Sequence, residues 1–311
     1  MRLFYTDEFV LPLPDGHKFP MSRYRLLRDR LVEQQIASPE QLFVPEAAEF
    51  SDLCRVHTTD YVTRIFAGEL QPDEQRRIGF PWSTQMVERS RRSVGATLCA
   101  ARYALRSGLG VNLAGGTHHA FADRGGGYCV FNDVAVTIRT LQAQGLIQRA
   151  VVIDCDIHQG DGTAALFAGD ESVFTFSMHA QKAYPARKQQ SDLDLPLLPG
   201  TGDADYLSAL QQGLEQTWRH GPYDIAFYLA GADPFVGDRL GGLALTKSGL
   251  AERDRLVATS CREHQLPLVI AMAGGYADDV RDIVEIQART IQIAGEVYNW
   301  DGREKDECGS S

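Results

Sequence analysis

The run Ala150-Val151-Val152-Ile153-Asp154-Cys155-Asp156-Ile157-His158 decides the fold. Its first four residues are apolar, mostly β-branched and bounded by polar residues, which predicts a buried parallel strand. Side chains alternate along a strand, so Asp154, Asp156 and His158 are expected on one face at its carboxyl end. Two carboxylates and an imidazole there suit zinc or ferrous iron. Alone, the same pattern also reads as a capping and turn sequence. Gln159-Gly160-Asp161-Gly162 follows as a tight turn that needs glycine.

Outward from this run, strand and helix patterns alternate. Strands are predicted at 1–9, 110–113, 150–154, 173–177, 225–229 and 268–272. Helical spacing marks 23–35, 57–66, 83–107 (interrupted at Gly95), 132–144, 162–167, 203–219, 247–264 and 278–296. Ser38 followed by Pro39 reads as a helix start. The alternation predicts an α/β chain with a mostly parallel sheet covered on both faces. No linker or repeat divides it, so residues 1–300 are expected to form one domain, with 301–311 a polar, frayed tail. Ligands of such sheets bind outside the carboxyl ends of the strands. Four polar motifs fall there: Gly115-Gly116-Thr117-His118-His119, Asp154 to Asp161, Gly231-Ala232-Asp233 and Gly274-Gly275-Tyr276.

A chain of 311 residues that is 44% hydrophobic and 23% charged is long enough for one large buried core. Its net charge of −10 argues against broad nucleic-acid binding, which needs a basic surface. The charge fits a cationic ligand such as a lysine-rich segment or a polyamine, although acidity also serves solubility alone. Cys54, Cys99, Cys129, Cys155, Cys261 and Cys308 are scattered without a pairing pattern and read as reduced thiols. Met1 to Glu8 lacks the apolar core of a signal peptide, and no apolar run is long enough to cross a bilayer. The expected compartment is the cytoplasm.

Adjacent histidines in a loop after two glycines are unusual core residues. His118 and His119 read as a proton-handling pair, with Asp154 and Asp161 available to orient them. Asp233 is by itself a turn or cap residue; beside the first motif it becomes a third metal ligand, leaving room for water. Tyr276 reads either as a packed aromatic or as a donor to a developing oxyanion. Gly125-Gly126-Gly127-Tyr128 does not fit a phosphate loop; it lets backbone approach a ligand, with Tyr128 as a wall. Asn132 or Asp133 is expected to cap the helix that follows.

Together these motifs resemble the zinc-dependent histone deacetylase superfamily, and within it the class IV and related bacterial lysine deacetylases. GGTHHAFADRGGGYCVFND, VVIDCDIHQGDGT, LAGADPFVGDRLGGLALT and MAGGY carry the resemblance, in that order. Tyr184-Pro185-Ala186-Arg187-Lys188 and His158-Gln159 carry the class IV likeness. The resemblance implies a single-domain, arginase/deacetylase-like three-layer fold with a central, mostly parallel eight-stranded sheet. It implies zinc on Asp156, His158 and Asp233, with ferrous iron as the alternative metal. It implies structural potassium at Asp154 and at Asp156, His158, Ser177 and Met178. Phe167 and Val173 match part of a second cation site, from which Asp170 departs. Asp154 is implied to orient His118, Asp161 to orient His119, and Tyr276 to polarise the substrate carbonyl. Tyr128 and Tyr184 are implied tunnel walls, and the Gly127 carbonyl an acceptor for the substrate amide. The implied reaction removes acetyl or longer acyl groups from lysine ε-amines of proteins or peptides. Small acetylated amines such as polyamines are the alternative substrate. Asp123, Asp192 and Asp194 are the candidates for an acidic tunnel mouth that would select them.

Overall fold

The computed structural model describes residues 1–14 and 16–300. The expected tail at 301–311, with Cys308, lies outside the described residues. Eight strands, β1 (Arg2–Phe4), β2 (Leu42–Phe43), β3 (Leu109–Asn112), β4 (Ala150–Asp154), β5 (Val173–Ala180), β6 (Leu193–Leu197), β7 (Ile225–Leu229) and β8 (Leu268–Ala271), form one sheet in the order β2-β1-β3-β8-β7-β4-β5-β6. All of its pairings are parallel. Among the described residues ten α-helices accompany it, α1 (Arg23–Glu33), α2 (Phe50–Leu53), α3 (Thr59–Ala67), α4 (Pro72–Ile78), α5 (Thr84–Ser107), α6 (Asp133–Ala143), α7 (Asp161–Leu166), α8 (Asp203–Trp218), α9 (Lys247–Glu263) and α10 (Val280–Val297), with one short 3-10 turn at Pro39–Gln41.

Strand alternation builds two cores. Val151 and Ile153 of β4, with Ala226 and Tyr228 of β7, pack with Leu27, Leu210, Val257 and Ile291 from α1, α8, α9 and α10. Ala150 and Val152, with Ile225 and Phe227, face the opposite way onto Ala100 and Ile138 of α5 and α6. The result is the expected three-layer arrangement with the sheet in the middle. A third apolar cluster, including Phe19, Tyr61, Phe80 and Tyr276, lies where α3 and α4 approach the site.

The register places the site. Asp154 pairs with Leu229, Leu229 with Ala271, and Ala271 with Asn112. One row of residues thus ends the four central strands at a common level. The loops carrying His118–His119, Tyr276, Asp233 and Asp156–His158 all leave from that row.

Some expectations need correction. The first strand is only Arg2–Phe4. Strands β2 and β6 were not anticipated: β2 has two residues, and β6 carries Pro196, which is tolerated because β6 is an edge. Helix α5 runs unbroken through Gly95. That glycine marks close packing instead, because a β-carbon there would stand 1.8 Å from the Glu46 carbonyl oxygen. The segment it meets is fastened to α5 by Arg92 on Pro45 O at 2.7 Å and Arg91 on Ala48 O at 3.0 Å. Gly95→Ala is therefore expected to destabilise, since helix propensity returns about 1 kcal/mol and overpacking costs about 1–3 kcal/mol. Urea denaturation checks this; a variant more stable than the parent would contradict the close packing.

Candidate metal centre and tunnel

Strand β4 ends at Asp154, and the chain bends from Asp156 to His158. The expected one-face alternation therefore stops at Asp154, and the three residues part. Asp154 turns to His118, its Oδ2 lying 2.6 Å from His118 Nδ1. Asp156 and His158 join Asp233 from the β7 loop instead, with one ligand atom of each within 4.8 Å of the others. His158 Nδ1 is 2.9 Å from Asp156 Oδ1 and 3.3 Å from Asp233 Oδ2.

Backbone amides hold the two carboxylates. Ile157 N donates to Asp233 Oδ1 at 2.9 Å, and Gly274 N donates to Asp156 Oδ2 at 2.7 Å. Asp233 is fully buried, yet its Oδ2 accepts no hydrogen bond. Burial, reinforced by the charge of Asp156, pushes the Asp233 carboxyl up to about 7. His158, despite its burial, is held up at about 10 by Asp156 and Asp233. These are the signs of a cluster with more negative charge than its own protons balance, which suits a cation. The donor set, two carboxylate oxygens and an imidazole nitrogen, fits zinc or ferrous iron.

Each loop is fixed from elsewhere in the chain. Asp133 at the start of α6 accepts from Gly116 N at 3.1 Å, Thr117 N at 2.8 Å and Thr117 Oγ1 at 2.7 Å, anchoring the loop before His118. Asn132 caps α6, accepting from Ala135 N. Arg253, fully buried on α9, donates to Gly231 O at 2.6 Å and to Cys155 O at 3.4 Å, joining the Asp156 and Asp233 loops. Arg23 on α1 donates to Ala273 O at 2.9 Å and Gly275 O at 3.1 Å, holding the loop of Tyr276. Sequence reading missed both arginines, because a helical arginine carries no mark that it points inward. Gln159 ties the Tyr184 loop to the centre, with bonds of 2.8 Å to Gln189 O, Gln189 N and Asp194 Oδ1.

His119 Nδ1 lies 2.6 Å from Asp161 Oδ1. Burial, and next the charge of His118, lower His119 to about 4, so its imidazole is neutral near pH 7. Burial acts downward on His118 too, but Asp154 and Asp156 outweigh it and hold the ring up at about 9. Burial keeps the Tyr276 hydroxyl well above its ordinary value and therefore protonated.

A cavity of about 460 Å³ joins these groups; His118, His119, Asp156, His158, Gly127, Tyr128, Tyr184 and Tyr276 all line it. Tyr184 stands edge-on to His119, ring centres 4.8 Å apart, and Tyr128 packs on Phe19 and Phe80 at 5.2 Å each. Gly127 has φ of +53°, and a β-carbon there would be 2.6 Å from His119 Cδ2. Ser177 pairs in register with Asp154, and Met178 follows it in β5. Asp170 spends its carboxylate on Arg139 and Ser172.

None of the acidic-mouth candidates is among the residues lining the cavity. Asp192 accepts from Thr175 N and Oγ1 at 2.8 Å each, Asp194 is bound to Gln159 and Ser191, and exposed Asp123 pairs with Arg124. The cavity is instead lined by Arg23, Arg76, Arg77 and Arg89, and its carboxylate is that of Asp156. None of the described helices is long and apolar enough to cross a membrane.

A parallel sheet whose strand ends bring two carboxylate-paired histidines and a tyrosine into one cavity with Asp156 and His158, two members of a three-residue group able to hold a cation, defines a hydrolase of the arginase/deacetylase-like α/β class. The model of the histone deacetylase domain matches residues 17–290, and the chain belongs to that family. It is 45% identical over 294 residues to an uncharacterized protein of Picosynechococcus sp., covering 94% of this chain and 98% of that one. It is 30% identical over 277 residues to histone deacetylase 2 of Arabidopsis thaliana, covering 84% and 70%. A crystal structure of a histone deacetylase homologue complexed with SAHA superposes with a TM-score of 0.82 at 25% identity, over 98% of this chain and 84% of that one. The chain is a deacetylase-type hydrolase.

Gly274 tests the cation cluster directly, because a β-carbon there would lie 2.1 Å from Asp233 Oδ2 and 2.5 Å from Asp156 Oδ2. Gly274→Ala is expected to weaken zinc binding by roughly ten- to a hundredfold, the scale of disturbing a ligand's supporting contacts. Competition against a chromophoric chelator measures it; parental affinity would exclude Asp156 and Asp233 as the ligand pair.

Proposed function

We propose that residues 1–300 are a catalytic domain that removes acetyl or longer acyl groups from lysine ε-amines of proteins or peptides. One observation carries the reading: Asp156 and His158 of the buried, under-neutralised cluster they form with Asp233 line one cavity with His118, His119 and Tyr276. Asp156, His158 and Asp233 would hold zinc, or ferrous iron in its place. Such a cation polarises an acyl carbonyl and acidifies water. Potassium is assigned to Asp154, to Asp156, His158 and Met178, and to Ser177, whose pairing with Asp154 supports it.

The chain's own groups handle protons and charge. His119, neutral and held through Nδ1 by Asp161, presents Nε2 to take the proton of the attacking water. The same nitrogen returns that proton to the nitrogen of the departing amine as the C–N bond breaks. His118, charged and tied to Asp154, stabilises negative charge nearby. Tyr276 donates its hydroxyl to the oxyanion. Tyr128 and Tyr184 flank the aliphatic lysine stem, and the Gly127 carbonyl accepts the substrate amide N–H. Its present partner is a weak donor, Cys129 Sγ at 3.5 Å.

The arginine lining favours acyl-lysine over acylated polyamines, whose free ammonium groups would approach Arg76 and Arg77 on entry. An acetyl-lysine peptide should be turned over with a kcat/KM up to roughly fivefold above an acetylated diamine, the scale of one unfavourable exposed charge contact. A panel of acyl-lysine peptides of increasing chain length, assayed with and without a hydroxamate, tests the whole reading. Turnover untouched by the hydroxamate would count against it. Tyr276→Phe should cost roughly 10²–10³ in kcat, with zinc content unchanged. Activity within a few fold of the parent would remove Tyr276 from the oxyanion role.

A further inference from the structure

Tyr276 leaves the sheet in a loop that no regular structure steadies. Ala273 has φ of +49° and Gly275 of +149°, so the backbone just before it is irregular. Its ring is buried against Tyr128 at 5.9 Å and Phe19 at 6.3 Å between centres, contacts that fix no hydrogen-bond direction for the hydroxyl. Its main chain, however, is gripped on both polar groups by two consecutive residues of the loop after Asp233. Asp238 Oδ2 accepts the Tyr276 amide at 2.5 Å. Arg239 donates to the Tyr276 carbonyl from Nε at 3.1 Å and from its own amide at 3.3 Å. Asp238 also forms an antiparallel bridge with Ala277.

Asp238 is itself held rigidly. Its second oxygen accepts from Leu240 N at 2.8 Å, turning the carboxylate so that Oδ2 faces Tyr276. A charged acceptor makes a stronger bond to a backbone amide than a neutral one does. The same loop begins at Asp233, so one short segment carries a cation-cluster carboxylate and, through Asp238, the Cα of the tyrosine. The separation between cluster and hydroxyl is then set by this segment.

We propose that Asp238 is the positioning residue for Tyr276, acting on turnover only through the placement of that hydroxyl. This rests on the reading of Tyr276 as the oxyanion donor. A group serving only loop integrity would instead lower stability, metal content or KM irrespective of what position 276 carries.

A double-mutant cycle tests the assignment. Asp238→Ala should lower kcat roughly 10²-fold, the cost of a displacement near 1 Å in a reacting group, while KM and zinc content stay near parental values. Asp238→Asn keeps an acceptor oxygen and should restore most of the loss. In the Tyr276→Phe background, Asp238→Ala should change kcat no further. If the alanine variant does not fold, Asp238→Ser carries the same comparison. An unchanged kcat in the single variant, or an equal fold-loss in both backgrounds, overturns the proposal. Failure of the underlying reading looks different: Tyr276→Phe alone would then keep parental kcat.

Discussion

Two carboxylates buried within reach of each other are the constraint on which the structure turns. Taking each from water costs several kcal/mol unless charge or hydrogen bonds compensate. Asp156 finds His158 and Gly274 N; Asp233 finds Ile157 N and shares His158, but its Oδ2 has no hydrogen-bond donor. His158 cannot neutralise both anions, His118 is paired first with Asp154, and burial together with the charge of Asp156 raises the Asp233 carboxyl. A fold that retains such a deficit at its centre must be built to pin these groups against their mutual repulsion. A divalent cation would relieve the strain that the pinning maintains.

The pinning begins with the sheet. Four central strands end in a single register row, so four loops start at one level and only short excursions are needed to converge. Because all pairings are parallel, each return needs a crossover; all but the β5–β6 return pass through a helix, and helices cover both faces. The site is thereby confined to the carboxyl ends of the strands, beyond the helical layers on the two faces. The order β3-β8-β7-β4 brings together motifs far apart in the chain, from His118 to Tyr276.

That is also why so much of the fold was legible from sequence. β4, β7 and β8 are apolar runs followed within a few residues by Asp156, Asp233 and Tyr276, and the parallel topology turns that juxtaposition into a shared site. Asp156, His158 and Asp233 were readable because ligand chemistry leaves few residue types to choose from. The orientation of Asp154 was not readable from alternation, since the strand period ends where the chain bends toward the cluster. β6 was hidden by Pro196, and Gly95 misled because a helix-weakening residue and a close-packing residue are written with the same letter. The acidic-mouth candidates are absent from the cavity lining on a different ground. Asp192 and Asp194 satisfy amides and side chains within the fold, and sequence does not reveal which carboxylates are already engaged.

The least legible layer is the one that gives the site its precision. Asp133, Arg253, Arg23 and Asp238 belong to elements that carry no group proposed to bind metal or substrate, Asp238 excepted only in sharing a loop with Asp233. Each bonds the backbone of a loop that does. Backbone contacts suit this task, because they hold a loop's path without competing for the functional side chain itself. They also explain why charged residues were chosen. A buried guanidinium satisfies two carbonyls at once, and a buried carboxylate satisfies two or three amides, so one side chain fixes several dihedrals together. In sequence these residues look like ordinary charges on a helix or in a turn, since their partners are peptide groups that every residue possesses. Loops that look free in the chain are therefore held by bonds to their backbone, and the determinants lie outside the motifs that announce the chemistry.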